Sequence, residues 1–415
     1  MRPWKSVGLA VVLLLGVSVP VGWIGGELPG FAQTSQSQRA EVDQLAQQGD
    51  RLYREGKFQE ALTVYQQVVT QRQQIKDRPG EGEAFYNLGR AYYQLTRYTD
   101  ALQAYQQALT IRSEFNDKDG VAVILNSVGR TYYKLNNYAQ ALKIYQRALE
   151  LRLEVGDRLG EAITRDDLGN VYRSMGDFAQ AVASHQKALD LTRQAGGKPA
   201  DEAKILNNLG LAYEGSSKYP AALEAYQQAL ERFKALNQIS NVTTTLTNIS
   251  SIYINLGKFA EAEKNLQEAL QISREIGSKR DEAAILNNVG AIRERLGQYP
   301  KALDAYQQAA DIFLDLGDLS KQADMFNNIG VVYERLGQYP KALEFFQKAL
   351  LIRQSIGDRA GEGSSLNNIG TVYYKSQQYA KGLELYQQAL KLAKDSGDRA
   401  GEAVTLNNLG TTRNK

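Results

Sequence analysis

The sequence predicts an all-α fold, a superhelical solenoid of antiparallel helix pairs, and three observations predict it. A glycine, preceded by Leu, Ile or Val everywhere except at Gln48-Gly49, recurs at Gly49, Gly89, Gly129, Gly169, Gly210, Gly290, Gly330, Gly370 and Gly410, with Ser250 in the remaining place. The step is 40 residues except for one of 41 between Gly169 and Gly210, and a fixed period of roughly 20–50 residues marks a repeat array. Each period carries two apolar stripes at helical spacing, separated by turn formers. Small residues recur at facing positions, as in Gly330, Ala342 and Ala349 or Gly89, Ala101 and Ala108, where they let two helices approach closely.

Within the period from Gly330 to Gly370, the first helix is read from Phe326, Ile329, Gly330 and Tyr333, which spacings of three and four put on one side. It breaks at Gly337, which suits a left-handed turn, and Pro340 suits the first turn of the next helix. The second helix shows Tyr339, Ala342, Leu343, Phe346, Ala349 and Leu350, again a helical stripe. Gly357 is a fitting C-terminal cap and Asp358 an N-cap for the next repeat. Pro220, Pro300 and Pro340 start second helices, Pro79 and Pro199 fall between repeats, and no proline lies inside a proposed helix. One pair cannot bury both stripes alone, so neighbours must stack.

Taken in order, residues 1–32 differ in kind. Arg2 and Lys5 precede an uncharged run from Val7 to Ile24, and Gly30-Phe31-Ala32 offers small residues at the −3 and −1 positions of a cleavage site. This is read as a secretory signal peptide. The alternative is an uncleaved N-terminal membrane anchor, since the run is long enough to span a bilayer, with Pro20 and Gly22 weighing against it. Residues 33–40 read as a polar spacer. Both readings export the array, to the periplasm or the extracellular space. Residues 41–401 hold nine repeats, and 402–415 a single helix, either a cap for the stack or the truncated start of a tenth repeat.

Composition narrows the chemistry. The chain has no cysteine and one histidine, His185, so disulfides, thiolate metal sites, His-based triads and multi-His metal sites are excluded. His185 stands where other repeats have Tyr105, Tyr145, Tyr226 and Tyr306, which makes it a core residue. Asp166 and Asp167 are adjacent, so their side chains diverge by about 100° on a helix, a poor start for an acid–base pair. Gly357-Asp-Arg-Ala-Gly-Glu-Gly363 has the look of a phosphate loop but follows a helix and recurs between repeats, so it reads as a connector. A net charge of +3 from 49 basic and 46 acidic residues argues against nucleic acid as the partner. No enzyme activity, metal or cofactor is expected.

Leu88-Gly89, Tyr92, Tyr98, Ala101, Tyr105 and Ala108, with their equivalents in later repeats, resemble the tetratricopeptide-repeat family across about residues 41–415. The 40-residue unit and its Gly-Asp-Arg-x-Gly-Glu connector are most similar to the repeats of spindle-orientation adaptors that bind G-protein regulators. Kinesin light chains and the bacterial arrays attached to caspase-like CHAT proteases are also similar. The resemblance implies a scaffold that binds extended protein segments along a concave groove. Nine first helices about 10 Å apart would make a groove on the order of 90 Å, room for ~20 or more residues of extended chain at ~3.3–3.6 Å each.

Candidate contact residues lie on the first helices, opposite the packing stripe. Asn pairs recur at Asn207-Asn208, Asn287-Asn288, Asn327-Asn328, Asn367-Asn368 and Asn407-Asn408, while Asn87 and Asn248 keep the second member alone. Asparagine is a middling helix former with no packing reason to recur mid-helix, and a carboxamide both donates and accepts. By the resemblance, Asn87, Asn208, Asn248, Asn288, Asn328 and Asn368 contact bound peptide; the competing reading is that the pairs hydrogen-bond between repeats and set the stacking angle. The same face carries Arg90, Tyr93, Arg130, Tyr133, Lys134 and Arg173 around Asp166-Asp167, read either as a basic-aromatic patch or as ordinary solvated surface. Glu294-Arg295 and Glu334-Arg335 read as groove chemistry or as pairing along one helix.

The expected function is a non-enzymatic scaffold for protein or peptide partners. Contact with membrane is expected only through an N-terminal anchor, and self-association through the C-terminal helix is a further option. The alternative is the regulatory or sensor remnant of a CHAT-type protease or a signalling ATPase without its effector domain.

Overall fold

The computed structural model describes residues 29–413. The apolar run that carries the signal-or-anchor expectation lies outside the described residues, and among those described no helix is long and apolar enough to cross a membrane. Nineteen helices and no strands are found there. The chain divides into two compact units, residues 1–117 and 118–415.

In the first unit, α1 (Pro29–Arg54) and α2 (Phe58–Gln74) form one helix pair, α3 (Arg78–Gln94) and α4 (Tyr98–Glu114) the next. Helix α1 runs without a break through residues 33–40, so the stretch expected as a spacer is helical. Pro79 sits in the first turn of α3, not between repeats, where its missing N–H has no intrahelical partner to lose. Val42, Ala61, Leu62, Tyr65, Val68, Ala84 and Leu88 make the core of this unit.

The second unit continues the pattern with α5 (Lys118–Lys134), α6 (Tyr138–Val155), α7 (Arg158–Ser174), α8 (Phe178–Gln194), α9 (Pro199–Gly215), α10 (Tyr219–Ala235) and α11 (Ile239–Asn255). It goes on through α12 (Phe259–Glu275), α13 (Lys279–Arg295), α14 (Tyr299–Asp315), α15 (Leu319–Arg335), α16 (Tyr339–Ser355), α17 (Arg359–Lys375), α18 (Tyr379–Ser396) and α19 (Arg399–Arg413). Each helix packs on the next, and odd-numbered helices also touch one another, as in α5–α7, α7–α9 and α17–α19. That puts the odd-numbered first helices on the inner side of the stack. The 41-residue step lies in the α8–α9 connector, where Lys198 is extended (φ −68°, ψ 140°).

The small residues act as expected. Gly330 faces the ring of Phe346, and an added Cβ would sit 2.6 Å from Cε1 of that ring. The same ring position is filled by buried Tyr145, Tyr226, Leu266, Tyr306 and Tyr386, and by His185, which is wholly buried as expected. Every turn between described helices holds one residue with φ between 52° and 80°. After α15 it is Gly337, closed by Gln338 N–H donating to the Tyr333 carbonyl at 2.9 Å; after α16 it is Gly357, closed in the same way by Asp358 and Arg353 at 2.9 Å. In the Gly-Asp-Arg-x-Gly-Glu connectors the aspartate is the N-cap, as Asp358 accepting from Gly361 N–H at 2.9 Å, and the residues after it are already the first turn of the helix.

Arginines that look like surface residues are buried beneath these caps. Arg152 pairs with Asp157 and Asp119, and in the first unit Arg72 pairs with Asp77 and Asp43. Arg353 donates to Asp324 at 3.0 Å and to the Gly361 carbonyl and Ser365 hydroxyl, each at 2.9 Å. Removing one partner of such a pair leaves an uncompensated buried charge, a loss of about 3–5 kcal/mol.

Candidate functional site

The asparagine columns are built by the helical register. The two members of each pair are adjacent, so one turns toward the following first helix and the other toward the preceding one. Asn328 Nδ2 donates to Asn287 Oδ1 at 3.0 Å, Asn368 to Asn327 at 2.6 Å, Asn408 to Asn367 at 3.1 Å and Asn248 to Asn207 at 3.2 Å. Asn208 likewise donates to Asp166, at 3.1 Å. The second member of one repeat thus bonds the first member of the repeat before, forming rungs between successive first helices. Of the six predicted contact residues, four donate in rungs: Asn208, Asn248, Asn328 and Asn368. Asn288 makes no hydrogen bond among the described residues, because Thr247 stands where a first member would be and its hydroxyl donates to the Thr243 carbonyl at 2.9 Å. Asn87, in the first unit, accepts from Arg90 at 3.1 Å. Each asparagine–asparagine rung uses one N–H of one carboxamide and the oxygen of the next, which leaves the donor's own oxygen and the acceptor's N–H groups for other partners.

Acid substitution reverses a rung. Asp167 takes the second place in its repeat and cannot donate, so Asn126 turns its Nδ2 to Asp167 at 3.1 Å and its Oδ1 to the Thr164 hydroxyl at 2.9 Å. Arg130 also donates to Asp167, at 2.9 Å. Burial pushes the Asp167 carboxyl up to about 6, with Arg130 pulling the other way and Asp166 adding to the rise. Asp166 faces away, accepting from His185 Nδ1 at 2.7 Å, while His185 Nε2 is buried without a partner. The two aspartates diverge as their adjacency requires.

The expected basic-aromatic residues fall in both units. In the first, the Arg90 guanidinium lies 4.3 Å from the Tyr53 ring centroid and 5.8 Å from that of Tyr86, and Tyr93 meets Tyr98 edge-on at 5.6 Å. In the second, Arg130 is held by Asp167, Tyr133 shares a 2.9 Å hydrogen bond with Ser174, and Arg173 has a buried Nε without a hydrogen-bond partner. The Glu-Arg repeats do not pair along one helix: Glu294 pairs with Arg335 at 3.0 Å and Glu334 with Lys375 at 2.5 Å, each across one repeat. Glu294 also accepts from Tyr306 at 3.1 Å and Glu214 from Tyr226 at 2.9 Å; burial, then the carboxylate, pushes both phenols up.

Between successive first helices the inner face opens into cavities floored by the second helix. One of about 470 Å³ is lined by Asn287, Asn288, Asn327, Asn328, Phe313 and Lys321. Another, of about 310 Å³, includes Asn367, Asn368, Ala393, Asp398 and Thr405. In the first unit a 230 Å³ cavity holds Asp43, Asp50, Arg72, Glu83 and Asn87. Counting along each second helix shows that Arg72, Phe313 and Ala393 are the same floor position. Sequence reading missed this floor, although an arginine five residues before each of Asp77, Asp117, Asp157 and Asp358 marks it.

Among solved structures, one similar fold is a signal-transduction ATPase with numerous domains and a tetratricopeptide-repeat sensor from Pyrococcus horikoshii, 17% identical, TM-score 0.55, covering 80% of this chain and 49% of that one. The aspartyl phosphate phosphatase F of Bacillus subtilis is 14% identical, TM-score 0.54, covering 89% of this chain and 96% of that one. The apo form of RapI is 17% identical, TM-score 0.52, covering 67% and 99%. The chain thus spans about half the length of the first of these. Compared with curated protein sequences, it has no significant match. The tetratricopeptide-repeat profile matches residues 44–114, 120–194, 167–235, 241–315, 321–395 and 362–414. With matches over most of its length, the chain belongs to the tetratricopeptide-repeat family.

Proposed function

We propose that this chain is a non-enzymatic scaffold that binds extended segments of partner proteins along the inner face of its first helices, outside the cytoplasm. Family membership supports a protein-interaction role. The observation that carries the peptide reading is the half-used carboxamide column: the Asn328–Asn287 rung leaves an acceptor and donors beside a cavity of about 470 Å³. An extended backbone offers one N–H and one C=O per residue and can fill both kinds of valence. Asn288, which carries no rung, is the residue freest to do so. The apolar floor of its cavity, Phe313 and Met325, favours an apolar side chain beside that backbone contact.

Selection of linear peptides from a displayed random library against the chain tests this. The expected result is a consensus whose affinity falls about tenfold, the worth of roughly one or two hydrogen bonds, in Asn288→Ala while helicity is unchanged. Failure to enrich any linear peptide, or binding indifferent to Asn288→Ala and Asn328→Ala together, would reject the groove. Export through residues 1–32 is a separate part of the proposal, and a fusion of that segment to a reporter active only outside the cytoplasm checks it. Self-association through α19 would show as dimers that dilution dissolves.

A further inference from the structure

Within the two units the floor position of the junction cavities holds arginine as Arg72, Arg152 and Arg353, and in each case the next first helix begins at an aspartate, Asp77, Asp157 or Asp358. At the last junction the floor is Ala393, yet the aspartate remains as Asp398. Of the other groups that grip Arg353 one repeat earlier, the Asp324 carboxylate gives way to Ser364, while the carbonyl and the hydroxyl keep their places. Arg353 donates to the Gly361 carbonyl and the Ser365 hydroxyl; their equivalents, Gly401 and Thr405, line the last cavity beside Asp398 and Ser364.

Asp398 accepts the Gly401 N–H at 3.0 Å as an N-cap and has no ion pair among the described residues. Its counterpart Asp318, also without a floor arginine, is reached instead by Arg280 of the preceding first helix at 2.8 Å. In Arg280's place the last junction has Ala360, which lines the same cavity. Both internal sources of a cation are therefore reduced to alanine at one junction, while the cap carboxylate that receives a guanidinium at Asp77 and Asp157 stays in place. The Thr405 hydroxyl donates to the Gly401 carbonyl at 2.7 Å, which leaves lone pairs on both oxygens to accept.

We propose that this cavity receives an arginine side chain from a bound protein segment. Arg72, Arg152 and Arg353 show what the junction accommodates: a planar fork laid against a cap carboxylate, or the carbonyl and hydroxyl one turn into the next helix, together with a carboxylate of the preceding first helix. A lysine ammonium lacks that fork and reaches fewer of those acceptors at once. The cavity opens beside Asn367 and Asn368, so the arginine enters from the same face as the backbone contacts. The inference rests on the groove reading and gives that groove a side-chain requirement.

The test uses the full chain and three blocked tripeptides, Gly-Arg-Gly and its citrulline and lysine analogues, with affinity followed by saturation-transfer NMR and calorimetry. The arginine peptide should bind at least about tenfold more tightly than the citrulline analogue, the scale of a charge-assisted hydrogen bond, and more tightly than the lysine one. Asp398→Asn should remove that preference, and Ala393→Arg should occlude the site from within. Equal binding of the arginine and citrulline peptides overturns the proposal, as does equal binding of the lysine peptide or an arginine preference that survives Asp398→Asn. A partner lost on Asn288→Ala but indifferent to Asp398→Asn and Ala393→Arg would leave the groove standing and reject only the arginine pocket.

Discussion

Asn368 donates its carboxamide N–H to Asn327 Oδ1 2.6 Å away, across 41 residues of sequence and one repeat of structure. Asn288 occupies the equivalent position but faces Thr247, which gives it no such bond. Asn368→Ala should therefore lower stability by about 0.5–1.5 kcal/mol, the net worth of one hydrogen bond, while Asn288→Ala stays within about 0.5 kcal/mol of wild type. Double-mutant cycles by urea unfolding check the contrast. Coupling between Thr247 and Asn288 as large as that between Asn327 and Asn368 would mean the rungs are not the source.

The helix pair fits around a missing side chain at Gly330. Its added Cβ would lie 2.6 Å from the Phe346 ring, whereas one at Gly410 meets nothing within 4 Å. Gly330→Ala is expected to destabilise by about 1–3 kcal/mol through overpacking. Gly410→Ala should be neutral or stabilising by up to about 1 kcal/mol, since alanine is the better helix former. Hydrogen exchange should show the first loss localised to α15 and α16.

Asp167 gives a pH dependence of unusual sign for a carboxylate. Its folded-state value near 6 lies above the ordinary unfolded value of about 3.9, so the native state binds more protons in between. This group adds stability as pH falls from about 7 toward 4 and withdraws it as pH rises through 6. Asp167→Asn should raise stability at pH 8 by on the order of 1–3 kcal/mol, with the gain shrinking toward pH 4. Melting temperatures of both proteins at pH 4.5, 6 and 8 decide it, and a gain that is constant with pH would refute the assignment.

Left-handed turn residues differ in strain. Thr96, β-branched, has φ 58°, while Asn136 has φ 56°, and asparagine tolerates that region better. Thr96→Gly should stabilise the α3–α4 turn by about 0.5–1 kcal/mol and Asn136→Gly the α5–α6 turn by less. Amide-exchange protection at the C-terminal turns of α3 and α5 reports each separately.

The fold was legible because periodicity is local: glycine spacing, two stripes and proline positions give each helix without any distant partner. Pro79 and Pro199 were placed between repeats because the connectors read as loop, although both prolines already stand in the first turn of the next helix, α3 and α9. The asparagine columns were legible too, but not their bonds, which join residues 41 apart that are linked only by stacking. Arg152 and Arg353 were missed because arginine normally marks surface; only their fixed distance from a cap aspartate shows that they lie inside. His185 was placed correctly as a core residue, while its bond to Asp166 needed the structure.

The turns have a consequence for how such a chain grows and shrinks. Because the turn after a first helix and the turn after a second both hold one left-handed residue and close in the same way, the backbone is built from modules of about 20 residues, and only the side chains impose the 40-residue rhythm. Loss or duplication of 40 residues within one stack moves whole binding stations and leaves every face as it was. Loss of 20 would join equally well at the turn, yet every helix beyond it would exchange roles, turning the asparagine columns outward and the second helices toward the groove. Change in copy number is thus open to this chain only in pairs.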